Sequence, residues 1–239
     1  MPEIRILRLL DGARKASGLT VVIDVFRAFS VAPLAIRQGA VWIHPVATPE
    51  EALAIRARNP DWLLMGERDG QPLPGFDFGN SPADVAAANL SGRILVQRTS
   101  AGVQGLLAAG ASAAASEVLT GSFINARAVV DYVRAVQPDT VSLVAMGWNG
   151  TEDTLDDLLC AGYLATGIRT GALPSMESIR EQLREDPCGA KFFDPGRPWF
   201  RAADFGLCLR SSIVDRVLRL EKLPDGSLVL MPRLVPGAA

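Results

Sequence analysis

Residues 21–25 read Val-Val-Ile-Asp-Val, and this run constrains the chain more than any other stretch. Val21, Val22, Ile23 and Val25 are β-branched and nearly consecutive, the pattern of a strand covered on both faces, as in a parallel sheet. The run ends in charge, at Asp24 and Arg27. In open α/β sheets ligands collect beyond the carboxyl ends of strands, and an acid with an arginine there can hold a metal and an anionic oxygen. An internal salt bridge is the equally open alternative, because ion pairs at strand ends also stabilise turns.

The remaining chain alternates apolar strands with alanine-rich helical stretches, a βαβ rhythm. Strands are expected at 4–10, 41–46, 62–65, 94–96, 113–118, 141–146, 205–209 and 227–231. Helices are expected at 30–38, 48–58, from Pro82 onward, and at 103–109, 125–136, 155–166 and 176–184. Thr48-Pro49-Glu50-Glu51 has the spacing of a capping box, and Asn80 or Ser81 can cap the helix that Pro82 begins. Residues 69–82 lose periodicity and form a long loop whose Phe76 and Phe78 need somewhere to pack. The expected fold is a three-layer α/β/α arrangement with a largely parallel or mixed sheet. It is one domain over 1–239, or two packed lobes dividing near 115–140. The tail 236–239 is expected to fray.

With 239 residues, 49% of them hydrophobic, the chain can bury a substantial core. Its formal charge of −2 gives no global reason to expect a nucleic-acid or membrane partner, so any anion site must be local. The three cysteines, Cys160, Cys188 and Cys208, are odd in number and widely spaced, which argues against a disulfide framework or a zinc site and fits a reducing cytoplasm. Charged residues throughout 1–20 leave no apolar signal core, and no later run reaches membrane-spanning length. A soluble protein follows, with a homodimer allowed.

Familiar catalytic signatures are missing. There is no Walker loop, no G-x-S-x-G elbow and no G-x-G-x-x-G fingerprint, and the sole histidine, His44, reads as a satisfied strand residue. Oxygen chemistry remains. Several strands end in acids, arginines, hydroxyls and glycines: Asp24 with Arg27, Glu67 with Arg68, Arg98 with Thr99 and Ser100, and Gly147 leading to Asp156 and Asp157. The order strand, hydroxyls, Gly102, helix suits an oxyanion cradle, although Thr99 or Ser100 could equally cap that helix. Acids in the first turn of the 155–166 helix also have a plain structural reading, since they favour its dipole. Carboxylates prefer hard cations such as Mg2+, while arginines and helix-start amides suit phosphate or sulfonate oxygens. Together these describe metal-assisted attack of water on a phosphate ester.

Four blocks, in this order, resemble the 2-phosphosulfolactate phosphatases of coenzyme M biosynthesis. They are Val22-Ile23-Asp24-Val25-Phe26-Arg27-Ala28; Gly66-Glu67-Arg68 with Gly75-Phe76-Asp77-Phe78-Gly79-Asn80-Ser81-Pro82; Gly121-Ser122-Phe123-Ile124-Asn125-Ala126; and Leu155-Asp156-Asp157 with Cys160-Ala161-Gly162. The resemblance implies an α/β, Mg2+-dependent enzyme that removes phosphate from a small sulfonated acid. It places Asp24, Glu67, Asp77 and Asp157 as catalytic, with Asp24, Glu67 and Asp157 on the metal. Arg27, Arg68, Asn80 and Ser81 then bind substrate, joined by Arg98, Thr99, Ser100 and Gly102.

The chain departs from that family in two places. Arg98-Thr99-Ser100-Ala101-Gly102-Val103 stands where a threonine run followed by Asn-Gly-Thr is usual, and Ser211-Ser212 stand where an aspartate is expected. These changes touch site loops and bear on substrate more than on fold. A phosphatase therefore ranks first. A phosphatase for a different small phosphorylated acid, a non-catalytic binder of such an acid, and an interaction protein are the alternatives.

Overall fold

The computed structural model describes residues 1–236, so the expected frayed tail falls outside the described residues from 237 on. In chain order the strands are β1 (Glu3–Arg8), β2 (Gly18–Ile23), β3 (Trp42–Pro45), β4 (Leu63–Arg68), β5 (Gln71–Pro72), β6 (Ile94–Arg98), β7 (Ala115–Gly121), β8 (Thr140–Ala145), β9 (Val217–Lys222) and β10 (Leu228–Arg233). The helices are α1 (Leu9–Arg14), α2 (Ala28–Arg37), α3 (Pro49–Arg58), α4 (Pro82–Ala87), α5 (Gly102–Gly110), α6 (Ala126–Val136), α7 (Leu155–Thr170), α8 (Glu177–Glu185), α9 (Pro187–Ala190) and α10 (Ala202–Cys208), with a 3-10 turn at Lys191–Phe193.

All ten strands belong to one mixed sheet, in the order β1-β8-β2-β7-β9-β10-β3-β6-β4-β5. It contains two parallel sets. In the first, β1 pairs with β8, β8 with β2 and β2 with β7; in the second, β3 pairs with β6 and β6 with β4. The antiparallel hairpin β9–β10 joins them, β9 against β7 and β10 against β3. The fold is thus the α/β, mixed-sheet arrangement expected from the sequence.

This topology makes the two parallel sets run in opposite senses, and a flat sheet would put their carboxyl ends on opposite edges. A hydrogen bond from the Gly102 amide, just past β6, to Asp24, just past β2, shows that these ends meet. The sheet is therefore curled as well as twisted between β2 and β6, so that both sets of carboxyl ends face one cleft.

β2 is central because its side chains feed both sides of the sheet. Leu19, Val21 and Ile23 join one core with Phe123, Val129 and Leu164, while Val22 joins the other with Phe29, Leu106 and Val144. This two-sided burial is the physical meaning of its unbroken β-branched run. A smaller cluster of Val46, Ile55, Leu64 and Val96 sits under α3. The caps follow the sequence: the Thr48 hydroxyl accepts the Glu51 amide, and the Ser81 hydroxyl accepts the Asp84 amide.

Three expectations need correction. Residues 205–208 are helical, the end of α10, with Leu209 capping it and Asp204, Phe205 and Cys208 on its buried face; so short an apolar run carries no period that separates strand from helix. The strand expected over 4–10 ends at Arg8, because Leu9 opens α1. His44 is half-buried in β3 and its Nδ1 has no partner, so it is not a satisfied strand histidine.

Phe123 is fully buried and packs edge-on against Tyr163, with ring centroids 5.3 Å apart. Phe123→Ala should lower unfolding stability by about 3–5 kcal/mol, the scale for deleting a buried aromatic ring. Urea denaturation checks this, and a loss below 1 kcal/mol would show that the core closes around the gap.

Candidate active site

Asp24 lies just past β2 and is nearly inaccessible. Its Oδ1 accepts the Ala28 amide at 3.0 Å, and its Oδ2 accepts the Gly102 amide at 2.8 Å, so one carboxylate receives the first residues of α2 and α5. The approach at Gly102 is close enough to require glycine, since a Cβ there would lie 2.6 Å from Asp24 Oδ2. Burial pushes the Asp24 carboxyl up to about 7, with the negative charges of Asp156 and Glu67 adding to the effect and the Ala28 and Gly102 amides opposing it.

Glu67 performs the same task at the end of β4. Its Oε2 accepts the Gly70 amide and its Oε1 the Ser100 amide, both at 2.6 Å. Arg98, at the end of β6, donates to the Glu67 carbonyl at 2.6 Å and to the Ser100 hydroxyl at 3.2 Å. The 98–103 turn is thereby committed to the protein. The Thr99 hydroxyl accepts the Val103 amide at 3.1 Å, and Gly102 donates to Asp24, so these groups cap α5 and hold a carboxylate.

Asp157, in the first turn of α7, accepts the Val25 and Gly147 amides at 2.8 Å each, tying the end of β2 to the end of β8. Asp156 accepts the Phe26 amide at 3.1 Å, and its Oδ1 has no partner. Burial raises the pKa of both carboxyls, and Asp156 and Asp24 push Asp157 further in that direction. Burial also raises the thiols of Cys160, Cys188 and Cys208, which leaves them protonated and poorly nucleophilic.

Between these strand ends lies a narrow cleft. Asp24, Arg27, Glu67, Asn80 and Ser100 line one part of it, with Gly70 and Ala101; Phe26, Gly147, Trp148, Asn149 and Phe200 complete the wall. Arg27 is held from behind, donating through Nη1 to the Trp199 carbonyl at 2.7 Å and to Asp204 Oδ2 at 3.2 Å, and through Nη2 to the Gly70 carbonyl at 2.7 Å. Both readings of Arg27 thus meet in one residue: it forms a buried ion pair, though with Asp204 and not Asp24, and it also faces the cleft. Its Nε and one Nη2 hydrogen have no partner among the described residues.

Other residues singled out from the sequence lie elsewhere. Asp77 is gripped by both terminal nitrogens of Arg56 and accepts the Leu64 amide at 2.7 Å, outside the cleft lining. Arg68 is exposed at the end of β4 and does not line the cleft. Ser81 caps α4 and donates to Asp204 Oδ1 at 2.6 Å. Arg98, Thr99, Gly102 and Asp157 stand behind the lining. Sequence reasoning missed Asp204 and Phe200, whose only signals were an acid and an aromatic in a stretch without periodicity, and Trp148, an aromatic just past a strand.

Among the described residues, no group of three or more His, Cys, Asp or Glu side chains is spaced to enclose a metal ion. Mg2+ needs no such cage, since it keeps several waters and takes one or two carboxylates together with substrate phosphate oxygens. The cleft suits that mode. Asp24 and Glu67 bring carboxylate oxygens whose charges already work against each other, and the Asn80 Oδ1 is a buried acceptor without a partner.

A family model described as 2-phosphosulpholactate phosphatase matches residues 6–187. The chain is 33% identical over 220 residues to a protein of Bacillus subtilis named a probable 2-phosphosulfolactate phosphatase, covering 91% of this chain and 92% of that one. It is 35% identical over 224 residues to a protein of Deinococcus radiodurans with the same name, covering 92% of this chain and 88% of the relative. A protein of Caldicellulosiruptor saccharolyticus, also so named, is 38% identical over 149 residues, 60% of this chain and 59% of its own.

Asp204 is fully buried and compensates the buried guanidinium of Arg27. Asp204→Ala leaves that charge unpaired and should lower stability by about 3–5 kcal/mol in urea unfolding. The raised carboxyl of Asp24 fixes the sign of a second effect. An unfolded Asp24 loses its proton near 3.8 and the folded one near 7, so in metal-free protein this group's contribution to stability is full below 3.8 and lost as pH rises through about 7. The melting temperature of the wild type minus that of Asp24→Asn should therefore fall between pH 4 and 7, and a flat difference would show that Asp24 ionises normally.

Proposed function

The chain belongs to the 2-phosphosulfolactate phosphatase family, and from that premise we propose that it hydrolyses 2-phosphosulfolactate to sulfolactate and phosphate with Mg2+ held in the cleft. The observation that carries the reading is the grouping of Asp24, Glu67 and the unpartnered Asn80 Oδ1 in one cleft beside Arg27, which offers oxygen donors and a guanidinium to one phosphorylated acid. Asp24, Glu67 and Asn80 would hold the metal. Bound there, Mg2+ supplies Lewis-acid neutralisation of the phosphoryl oxygens.

The chain's own residues do the positioning. The Ser100 hydroxyl donates to Glu67 Oε2 at 3.3 Å and so steadies that carboxylate at the cleft wall. Arg27 presents Nε and Nη2 hydrogens in a planar fork suited to a carboxylate. Phe26, Trp148 and Phe200 exclude water from the opposite wall, which strengthens each of these charge interactions. The products are one alcohol and one phosphate, the water supplying the new P–O bond and the proton that leaves with the alkoxide. The chain has no strongly basic or membrane-directed surface by composition, and no helix among the described residues is long and apolar enough to cross a membrane. A small phosphorylated acid as partner and a cytoplasmic setting fit these features.

Purified protein should release phosphate from 2-phosphosulfolactate, and a chelator should abolish the release until Mg2+ is restored. Asp24→Asn, nearly isosteric, should lower kcat/KM on the order of 10²-fold or more, the scale for loss of a preorganised electrostatic group, with the fold kept. Turnover near that of the wild type at saturating Mg2+ would remove Asp24 from the chemistry.

A further inference from the structure

We infer that the groove floored by Trp42, His44 and Trp62 is a second binding site of this protein, one for a small free organic ammonium. The groove shares no lining residue with the cleft, so the inference does not depend on the reaction proposed above.

Alternation along β3 sends Ile43 into the core and leaves Trp42 and His44 side by side on the opposite face, both half-buried. Trp62, just before β4, reaches the same place. Its ring centre lies 5.0 Å from that of Trp42, at 85° to it, and 6.2 Å from that of His44, while Trp42 and His44 are 6.3 Å apart. The three rings are inclined to one another by at least 45°, so they form a corner and not a stack. Centres so spaced let one cation lie within about 6 Å of both indoles, the reach of cation–π attraction, with the imidazole beside it. Around these rings α3, α5 and the turn between β9 and β10 enclose a groove of about 920 Å³, a size that small-molecule sites share.

The groups at this corner lack a positive partner. Glu51 gives Oε2 to the Ala47 amide at 3.1 Å, and Asp225 gives Oδ1 to the Ser227 amide and hydroxyl; the second oxygen of each is free, and neither acid forms an ion pair among the described residues. Both charges act on His44, whose pKa burial nonetheless lowers, so the imidazole is neutral at pH 7 and does not neutralise them. Its Nδ1 is buried without a partner, and with the ring proton on Nε2 the lone pair there is negative, like the indole faces. Arg58 also lines the groove, but it donates to the Ala54 carbonyl at 3.3 Å and pairs with neither acid. Among the described residues no lysine or arginine stands over Trp42, His44 or Trp62. An alkylammonium answers the whole set, because its charge meets the two carboxylates while its methyl or methylene surface packs on the indoles. A phosphate or sulfonate would meet Glu51 and Asp225 as like charges, and an apolar molecule would leave both acids unused.

His44 is the only histidine in the chain, so its ring protons report on this groove alone in a proton NMR titration. Choline should move them saturably, whereas sodium chloride at matched concentration should not. The uncharged isostere 3,3-dimethylbutan-1-ol, with carbon in place of the charged nitrogen, should bind at least about tenfold more weakly than choline. Trp62→Leu, which keeps an apolar side chain but removes the indole face, should weaken choline about tenfold. Asp225→Asn, an exposed and nearly isosteric change that leaves the fold intact, should weaken it about threefold at low salt, the scale of an exposed charge contact. Equal affinity for choline and the alcohol, choline affinity untouched in Asp225→Asn and Trp62→Leu alike, or resonances that choline leaves in place would each overturn the inference. n-Butylammonium and Nα-acetyl-lysine amide carry the same charged group, and tighter binding of the second would assign the corner to a lysine of a partner protein and overturn the free amine. Phosphate release is not a readout in any of these arms, so failure of the hydrolytic reading and failure of this one are told apart.

Discussion

Buried carboxylates bonded to backbone amides hold the site together, and the rest of the structure depends on them. Asp24 receives amides from α2 and α5, Glu67 from the turn after β4 and from the end of β6, and Asp157 from the ends of β2 and β8. Asp24 thus ties β2 to α5, which share no ladder, while Glu67 and Asp157 brace the ends of strands already paired, β4 with β6 and β2 with β8. A carboxylate oxygen accepts from more than one direction, so an acid can fix two peptide segments and still turn a lone pair toward a ligand. Structural and chemical roles are here two uses of the same atoms. Burying such charges is unfavourable in itself, as the raised carboxyls of Asp24, Asp156 and Asp157 show, and at Asp24 and Asp157 neighbouring carboxylates add to the effect.

The excursion after α7 closes the same cleft from the other side. Asp204 holds Arg27, the Ser81 hydroxyl and the Ala83 amide together, so α10, α4 and the end of β2 share one fully buried acid. The aromatic rings of Phe192, Phe200 and Phe205 pack against one another and around Phe26, which fixes the wall facing Asp24. A stretch that looks peripheral by composition therefore supplies Phe200 and its aromatic backing to the apolar side of the cleft.

What was legible in the sequence was local. The β-branched run of β2, the Thr48 and Ser81 caps, and Asp24 and Glu67 at strand ends all declare themselves within a few residues. Arg27 could be read both as an ion-pair partner and as a site group, and it is placed as both. Asp77 was not readable, because what fixes its role is Arg56, 21 residues earlier on a different element. Asp204 escaped notice for the same reason, since Ser81 and Arg27 lie far away in the chain and its own helix is too short to show a period. The Thr99 and Gly102 turn offered two readings that sequence spacing cannot separate, and the bonds to Val103 and Asp24 show the capping one.

The hairpin β9–β10 has a consequence for how the chain is made. It is the only element bonded to both parallel sets of the sheet among the described residues, and its pairing of Leu230 with Ile43 spans most of the sequence. Until it emerges from the ribosome, β7 and β3 each present an open edge of unpaired amides and carbonyls, the kind of surface through which chains join wrongly. Each parallel set can condense early from nearer contacts, whereas setting one against the other awaits the closure of a very long loop. The nascent chain thus carries two sticky borders for most of its synthesis, and the cleft between them takes shape last.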